Sequence, residues 1–503
     1  MVKKGIAKRA LLAAWLAASA LLLSGCVSQI SEREMVDLSL IEIETVVQAP
    51  QQDGAQAREE WFTLYFLDQD GVTLRPVTRR VSVQGGVSRA KAALDALLAG
   101  PLESERGVMW PDLGASRSDR LLEVSCGVAT VDLNAHARTL AQQTLYAVRL
   151  AIANTLTEFS EISHVNVLVG GREEGLDLSA TLPVGTLTHA DDPDVSARYS
   201  RLHEQRLSSE GVTLLTTLYF PSADGKWILP EVRHIAYAQV SPIEYLYTLL
   251  GELGKGASRP RCEFPAPLEF IEEMPEIVRT EDGYLAIELC FDRQLEEELA
   301  RGGMSLGVYL AMLSDTLMGF VPGVEGLKVS IGDEDIVKLS QERTGDGREI
   351  VFEHGLATRN DFVGFTGAPV TLYVAEGDGL VAAPHVMEQS RADDARARLE
   401  ALIALDDGDA FALAGKLDDQ DVLAVYAGTD VISVNLSGDF RTQMEALSPE
   451  QERAVVYAMV NTLTQGAEAS SVAFFFEGEQ VSTLAGALEM RGTFVRNPGM
   501  VVN

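Results

Sequence analysis

Thr63–Phe66 is a run of β-branched and aromatic residues, the composition of a half-buried strand, and Asp70-Gly71 follows it. Asp-Gly supplies the positive φ of a tight turn, so a hairpin into Val72–Val83 is predicted. The same device stands at Thr217–Gly225 and Thr371–Gly379, each starting 154 residues after the one before. Beyond the first hairpin, Ala90, Ala93, Leu94, Leu97 and Leu98 recur at three- and four-residue steps and Gly100-Pro101 stops them, which predicts a helix. Its counterparts are Pro242–Leu253 and Arg391–Leu405. Leu121–Leu133 reads as two strands around Gly127, with the pattern repeated at Ile277–Phe291 and Val422–Leu436. A second helix over Leu140–Phe159 carries Leu145, Val148, Leu150, Ile152 and Leu156, and a last strand closes the pattern.

Two further landmarks keep the same order. Val131-Asp132-Leu133, Ile287-Glu288-Leu289 and Val434-Asn435-Leu436 alternate as strands. Asn154-Thr-Leu-Thr157, Asp315-Thr-Leu-Met318 and Asn461-Thr-Leu-Thr464 end the second helix, and each precedes a β-rich run at 164–169, 327–331 and 472–476. A period this long is a domain with its own core, not a solenoid unit. The fold expected is therefore α+β, with three tandem β-β-α-β-β-α-β modules, each a small sheet covered by two helices. The modules are assigned to residues 60–176, 211–335 and 363–503, the last the most diverged, with linkers at Asp177–Glu210 and Gly332–Phe362.

The first 26 residues differ in kind. Lys3, Lys4, Lys8 and Arg9 precede an apolar run from Ala10 to Leu23, too short for a membrane span and flanked like a secretory signal. Leu23-Ser24-Gly25-Cys26 resembles the lipobox of bacterial lipoproteins, which implies cleavage of residues 1–25, diacylglycerol on the Cys26 thiol and a linker over 26–59. Two or more acyl chains anchor stably where one does not. Cleavage takes away four positive charges and no acidic ones, which moves the net charge from −33 to −37, so nothing is gained from a polybasic contact with anionic lipid. Cys126, Cys262 and Cys290 show no CxxC spacing and support no metal or redox motif. Cys126 and Cys290 sit in apolar runs, where a small buried thiol is expected, and a Cys262–Cys290 disulfide is left open.

Composition narrows function further. The 503 residues have ordinary globular usage, and 74 acidic against 41 basic side chains repel phosphate backbones, which argues against nucleic-acid binding. Asp68-Gln69-Asp70-Gly71 looks like part of a calcium loop, but the remaining ligands are missing and only Asp-Gly recurs, which turn chemistry explains. There is no H-E-x-x-H, and Gly251–Gly256 fails the phosphate-loop spacing. His136, His164, His189, His203, His234, His354 and His385 fall at no equivalent landmarks. The expectation is a protein that is not an enzyme, with no catalytic residue, metal or cofactor.

The TLYF…DG hairpin, the helix leading to Gly100-Pro101, the V-D-L strand and the closing N-T-L-T resemble the GerM, or GerMN, domain of bacterial sporulation and germination lipoproteins. Repeat one matches over about Glu60–Gly171; repeat two lacks Gly-Pro and has D-T-L-M, and repeat three has Asn435 for the acidic residue. The resemblance implies a fold similar to ring-building motifs of envelope channels, a lipoprotein on the outer face of the cytoplasmic membrane, and no established catalytic residues. The function expected is a lipid-anchored, non-enzymatic interaction or assembly scaffold, possible in sporulation or germination, whose partners are the membrane through Cys26 and an envelope protein or the cell wall. The alternative is a binding module for wall glycan or a small cationic ligand, motivated by the charge and by Trp61, Trp110 and Trp227.

Overall fold

The computed structural model describes residues 48–502 apart from 115–119, 177–180, 193, 208–210, 378, 406–419 and 468. Cys26 and Asp378 lie outside the described residues. The same order of elements runs through three stretches of chain. The first has a hairpin of β1 (Arg58–Asp68) and β2 (Leu74–Val83), α1 (Arg89–Leu98), β3 (Leu122–Ser125), β4 (Val128–Leu133), α2 (Gln142–Leu156) and β5 (His164–Val169). After α3 (Val195–Leu207), the middle stretch repeats it with β6 (Val212–Pro221), β7 (Ile228–Tyr237), α4 (Pro242–Gly254), β8 (Glu276–Arg279), β9 (Leu285–Phe291), α5 (Gln294–Arg301), α6 (Leu306–Met318) and β10 (Gly326–Ile331). The last has β11 (Gly367–Glu376), β12 (Gly379–Glu388), α7 (Ala395–Ala404), β13 (Val422–Ala427), β14 (Val431–Leu436), α8 (Gly438–Glu445), α9 (Pro449–Thr464) and β15 (Ser471–Phe476).

Local chemistry explains the boundaries. Ser88, Ser305, Asp394 and Ser448 cap α1, α6, α7 and α9 by accepting a backbone N–H of the first turn, and Ser448 with Gln451 completes a reciprocal capping box behind Pro449. The cap at Asp394 starts α7 three residues after Arg391, where a helix was expected from the spacing of apolar residues. Cys126 and Gly127 turn β3 into β4 with φ of 52° and 79°, so Cys126 stands at a strained turn and not inside a strand.

One expectation about layering changes. Each hairpin is a sheet apart from the strands that follow it: β3-β4-β5, β8-β9-β10 and β13-β14-β15 form the second sheets, with the first pair antiparallel and the second parallel. A parallel pair needs a crossover, and α2, α6 and α9 supply it. These helices also pack on the hairpins, so each lies between two small sheets. Pro76, Pro230 and Pro384 stand on the second strand of each hairpin and leave it without a donor there, which blunts an edge open to pairing.

The stretches assigned as linkers are packed. Leu182, Val184, Leu187 and Ala190 are buried, as are Ile336, Leu339, Phe352, Ala357 and Phe362. They run back along the outer edge of the last strand: Leu187 bridges Val165 of β5, Ala357 bridges Leu327 of β10, and Phe494–Val495 pairs antiparallel with β15. The edge of a sheet needs partners for its N–H and C=O groups, and a returning segment provides them without helical or alternating periodicity. The expectation of one core per copy also changes. A single hydrophobic cluster runs from Phe62 to Phe365 through the first two stretches, whereas the last has its own, from Leu372 to Phe494.

Candidate functional site

The recurring landmarks meet in space. The backbone N–H of Tyr65 donates to Thr155 Oγ1 at 2.9 Å, that of Tyr219 to Thr316 Oγ1 at 3.0 Å, and that of Tyr373 to Thr462 Oγ1 at 2.9 Å. The Tyr of each TLY and the Thr of each helix end are thus two halves of one bond that ties hairpin to crossover helix. The three threonines are buried, so losing the hydroxyl leaves an N–H unsatisfied inside the fold.

The residue before that Thr divides the copies. Asn154 reads both groups of one backbone position, with Nδ2 donating to Ala190 O at 3.0 Å and Oδ1 accepting from Ala190 N at 2.7 Å. Asn461 does the same to Asn497, at 3.1 and 2.9 Å. Each asparagine clamps its own returning segment. Asp315 has no donor, and it turns to two arginines. Arg120 of the first stretch contacts both Asp315 oxygens, Nη1 reaching Oδ1 at 3.1 Å, while its Nε and Nη2 hold Glu123 at 3.0 and 2.9 Å. Arg359, from the segment returning along β10, lies 3.2 Å from Asp315 Oδ1 through Nε, and its backbone O accepts from Arg120 Nη1. Asp132 lies in the field of both arginines. All five side chains are buried, so two cations and three acids are sealed where the first and middle stretches meet.

Electrostatics follow from burial. Desolvation works against the Arg120 cation, but Asp315 and Glu123 together hold its pKa well above the ordinary value. Burial raises Asp132, against the pull of the Gly171 N–H and the two arginines, and pushes the Tyr219 hydroxyl up to about 12. A cavity of about 10 Å³ adjoins the junction, lined by Thr130, Asn166, Thr217, Tyr219, Asp315 and Arg359. That is room for one water and none for a substrate. The junction is a lock between stretches.

The other residues singled out by sequence do not gather there. Asp70 accepts the N–H groups of Val72 and Thr73 at 2.9 Å and the Thr73 hydroxyl at 2.6 Å, so its carboxylate is spent inside the turn. Among the described residues no group of three His, Cys, Asp or Glu is placed to hold a metal ion. Cys126, Cys262 and Cys290 are free thiols, half-buried, with Cys126 against the Arg259 guanidinium. Trp61 is 67% exposed, but Trp110 packs edge-on against Phe66 and Trp227 lies against Gly367, so one indole of the three is open to solvent. No helix of the described residues is long and apolar enough to cross a membrane. Sequence reasoning missed Arg120, Glu123 and Arg359; the signal was Asp315 in place of asparagine, which marks a changed partner.

A fold of repeated small α+β units, each tied by the same Tyr–Thr bond, defines a class of tandem-domain protein. The family model Germane, described as sporulation and spore germination, matches residues 63–175 and 371–482. Those two segments are similar to that family, and the match covers less than half of the chain. Similar solved structures include the tandem GerMN domains of the sporulation protein GerM from Bacillus subtilis, with 16% identity over 59% of this chain and 100% of that one and a TM-score of 0.22. The first GerMN domain of the same protein has 21% identity over 27% of this chain and 97% of its own, at a TM-score of 0.18. A Clostridium perfringens structure described as a candidate lipoprotein has 16% identity over 27% and 94%, at 0.19. No curated protein matches.

Proposed function

We propose that the chain is a lipid-anchored, non-enzymatic assembly scaffold of the cell envelope acting in sporulation or germination. It carries three copies of one GerMN-type unit, each extended by its returning segment to about residues 58–190, 212–360 and 367–497. Cys26 is acylated and holds it at the outer face of the cytoplasmic membrane; partners there are other envelope proteins. The observation that carries this reading is the fate of the recurring Tyr and Thr, which are tied to each other in all three copies, and the family model that matches two of the segments is one of sporulation and germination. The test is palmitate labelling and membrane fractionation of the wild-type and Cys26→Ala chains. Loss of label and release into the soluble fraction are expected; a firmly bound Cys26→Ala chain overturns the anchor. The glycan-binding alternative keeps one exposed indole, and sedimentation with purified peptidoglycan across a salt series, wild type against Trp61→Ala, decides it.

A further inference from the structure

Residues just before the first hairpin cross to the third stretch. Gly54 and Ala55 pair in parallel with Tyr426 and Ala427 on the outer edge of β13. Around that short ladder, Gln56 N donates to Ala427 O at 2.8 Å, Val425 N to Asp53 Oδ1 at 2.8 Å, and Asn435 Nδ2 to Pro50 O at 3.3 Å, while Arg396 Nη1 holds both Asp53 oxygens at 3.1 Å. A Cβ at Gly54 would stand 3.2 Å from the Tyr426 ring, a tight contact that the ring would have to relieve by a few tenths of an ångström, so the strand favours glycine there.

The acceptor side is adapted as well. Asp132 and Asn435 hold equivalent places and both accept a glycine N–H, from Gly171 at 2.7 Å and Gly478 at 2.9 Å. An amide can also donate, and Asn435 uses that donor on the Pro50 carbonyl; an ionised carboxylate in its place could not. The matching edge of the first stretch, β3, is met by the third stretch through Ser125 Oγ on Gly367 O at 2.7 Å, and that of the middle stretch, β8, ends its sheet. Among the described residues, the third of these edges alone holds a strand with side-chain readers on both sides of it.

We propose that the outer edge of β13, with Arg396 and Asn435, is an acceptor site for an extended peptide carrying an acidic residue followed by glycine, and that Pro50–Gln56 fills it in cis as a latch. Main-chain pairing supplies the affinity, Arg396 selects the acid, Tyr426 favours the glycine and Asn435 reads a carbonyl four residues before it. For its use in assembly the site rests on the scaffold reading; the binding itself does not, and Cys26-dependent fractionation is untouched by the variants below. A latch tethered by a single residue to β1 outcompetes a peptide in solution, since its effective concentration is of order millimolar.

The probe is a fluorescent peptide of residues 49–57 titrated into the full chain. The Gly54→Val chain, whose own latch no longer fits, is expected to bind it at least about tenfold more tightly than wild type, and Asp53→Ala to shift the same way. Adding Asn435→Asp to Gly54→Val is expected to abolish the gain. Binding no tighter in both single variants than in wild type, or a gain that survives Asn435→Asp, overturns the proposal.

Discussion

The first two stretches and the third solve the same problem of docking in opposite ways. The first and middle share one core and seal five charged groups at their junction, while the third keeps its own core and is reached by a strap across a sheet edge. A change of one functional group separates them. Where the helix end carries Asn154 or Asn461, the side chain satisfies its own returning backbone and the unit closes on itself. With Asp315 the donor is gone, the returning segment sends Arg359 instead, and the surplus acceptor recruits Arg120 from the neighbour. Buried ion pairs are poor sources of net stability but costly to break, which suits a lock that sets one arrangement.

The largest effect is expected at that lock. Asp315→Ala leaves two buried arginines with Glu123 as their near acid and should cost about 3–5 kcal/mol in urea unfolding, whereas Asn461→Ala, which frees two backbone groups in the third stretch, should cost about 1–3 kcal/mol. Equal losses would erase the contrast. A second break is acid–base. Glu173 is buried beside Arg149 and under the Val184 N–H, and burial raises it to about 7, with Arg149 pulling against that rise. Since its folded pKa lies above the unfolded value, the folded state holds the proton more tightly; the stability this gives is complete below pH 4.5 and lost as pH rises through 7. The chain should therefore lose about 3 kcal/mol from this group between pH 4.5 and 8, and Glu173→Gln should flatten that slope in melts run across the range. No difference between the two slopes would remove Glu173 from the account.

The Tyr–Thr bond sharpens the comparison from the other side, because it is common to all three stretches. Thr155→Val, Thr316→Val and Thr462→Val should each cost about 1–3 kcal/mol, with similar values in separate denaturant titrations. A loss confined to one of them would show that the copies do not share this tie. A loss of about 1–3 kcal/mol, local to the strap, is expected for Asn435→Asp, which keeps the Gly478 contact and leaves the Pro50 carbonyl without its donor. Its mark is faster amide exchange at Val425 and Gln56, whose bonds cross between strap and sheet.

Much of this was legible in residue order. Asp70-Gly71 and Asp224-Gly225 announce hairpins because few other dipeptides take positive φ cheaply, and the apolar steps of α2, α6 and α9 announce helices because one face of each must be buried. The returning segments at 181–190 and 332–362 were not legible: their role is to complete a strand edge with backbone groups, and backbone pairing leaves no periodic trace in side chains. Arg120 carries no local sign either, since its partner Asp315 lies 195 positions along the chain.

Repetition, turn chemistry and the choice of amide or acid at 154, 315, 435 and 461 are written in the chain, because turns act through neighbours a few residues away and the amide-or-acid choice stands out against a recurring pattern. Which units merge their cores, which edge takes the strap and where the charges of Arg120 and Arg359 are buried were decided by tertiary packing. Those outcomes depend on surfaces brought together from distant positions, and their energies arise only when water has been expelled from between them.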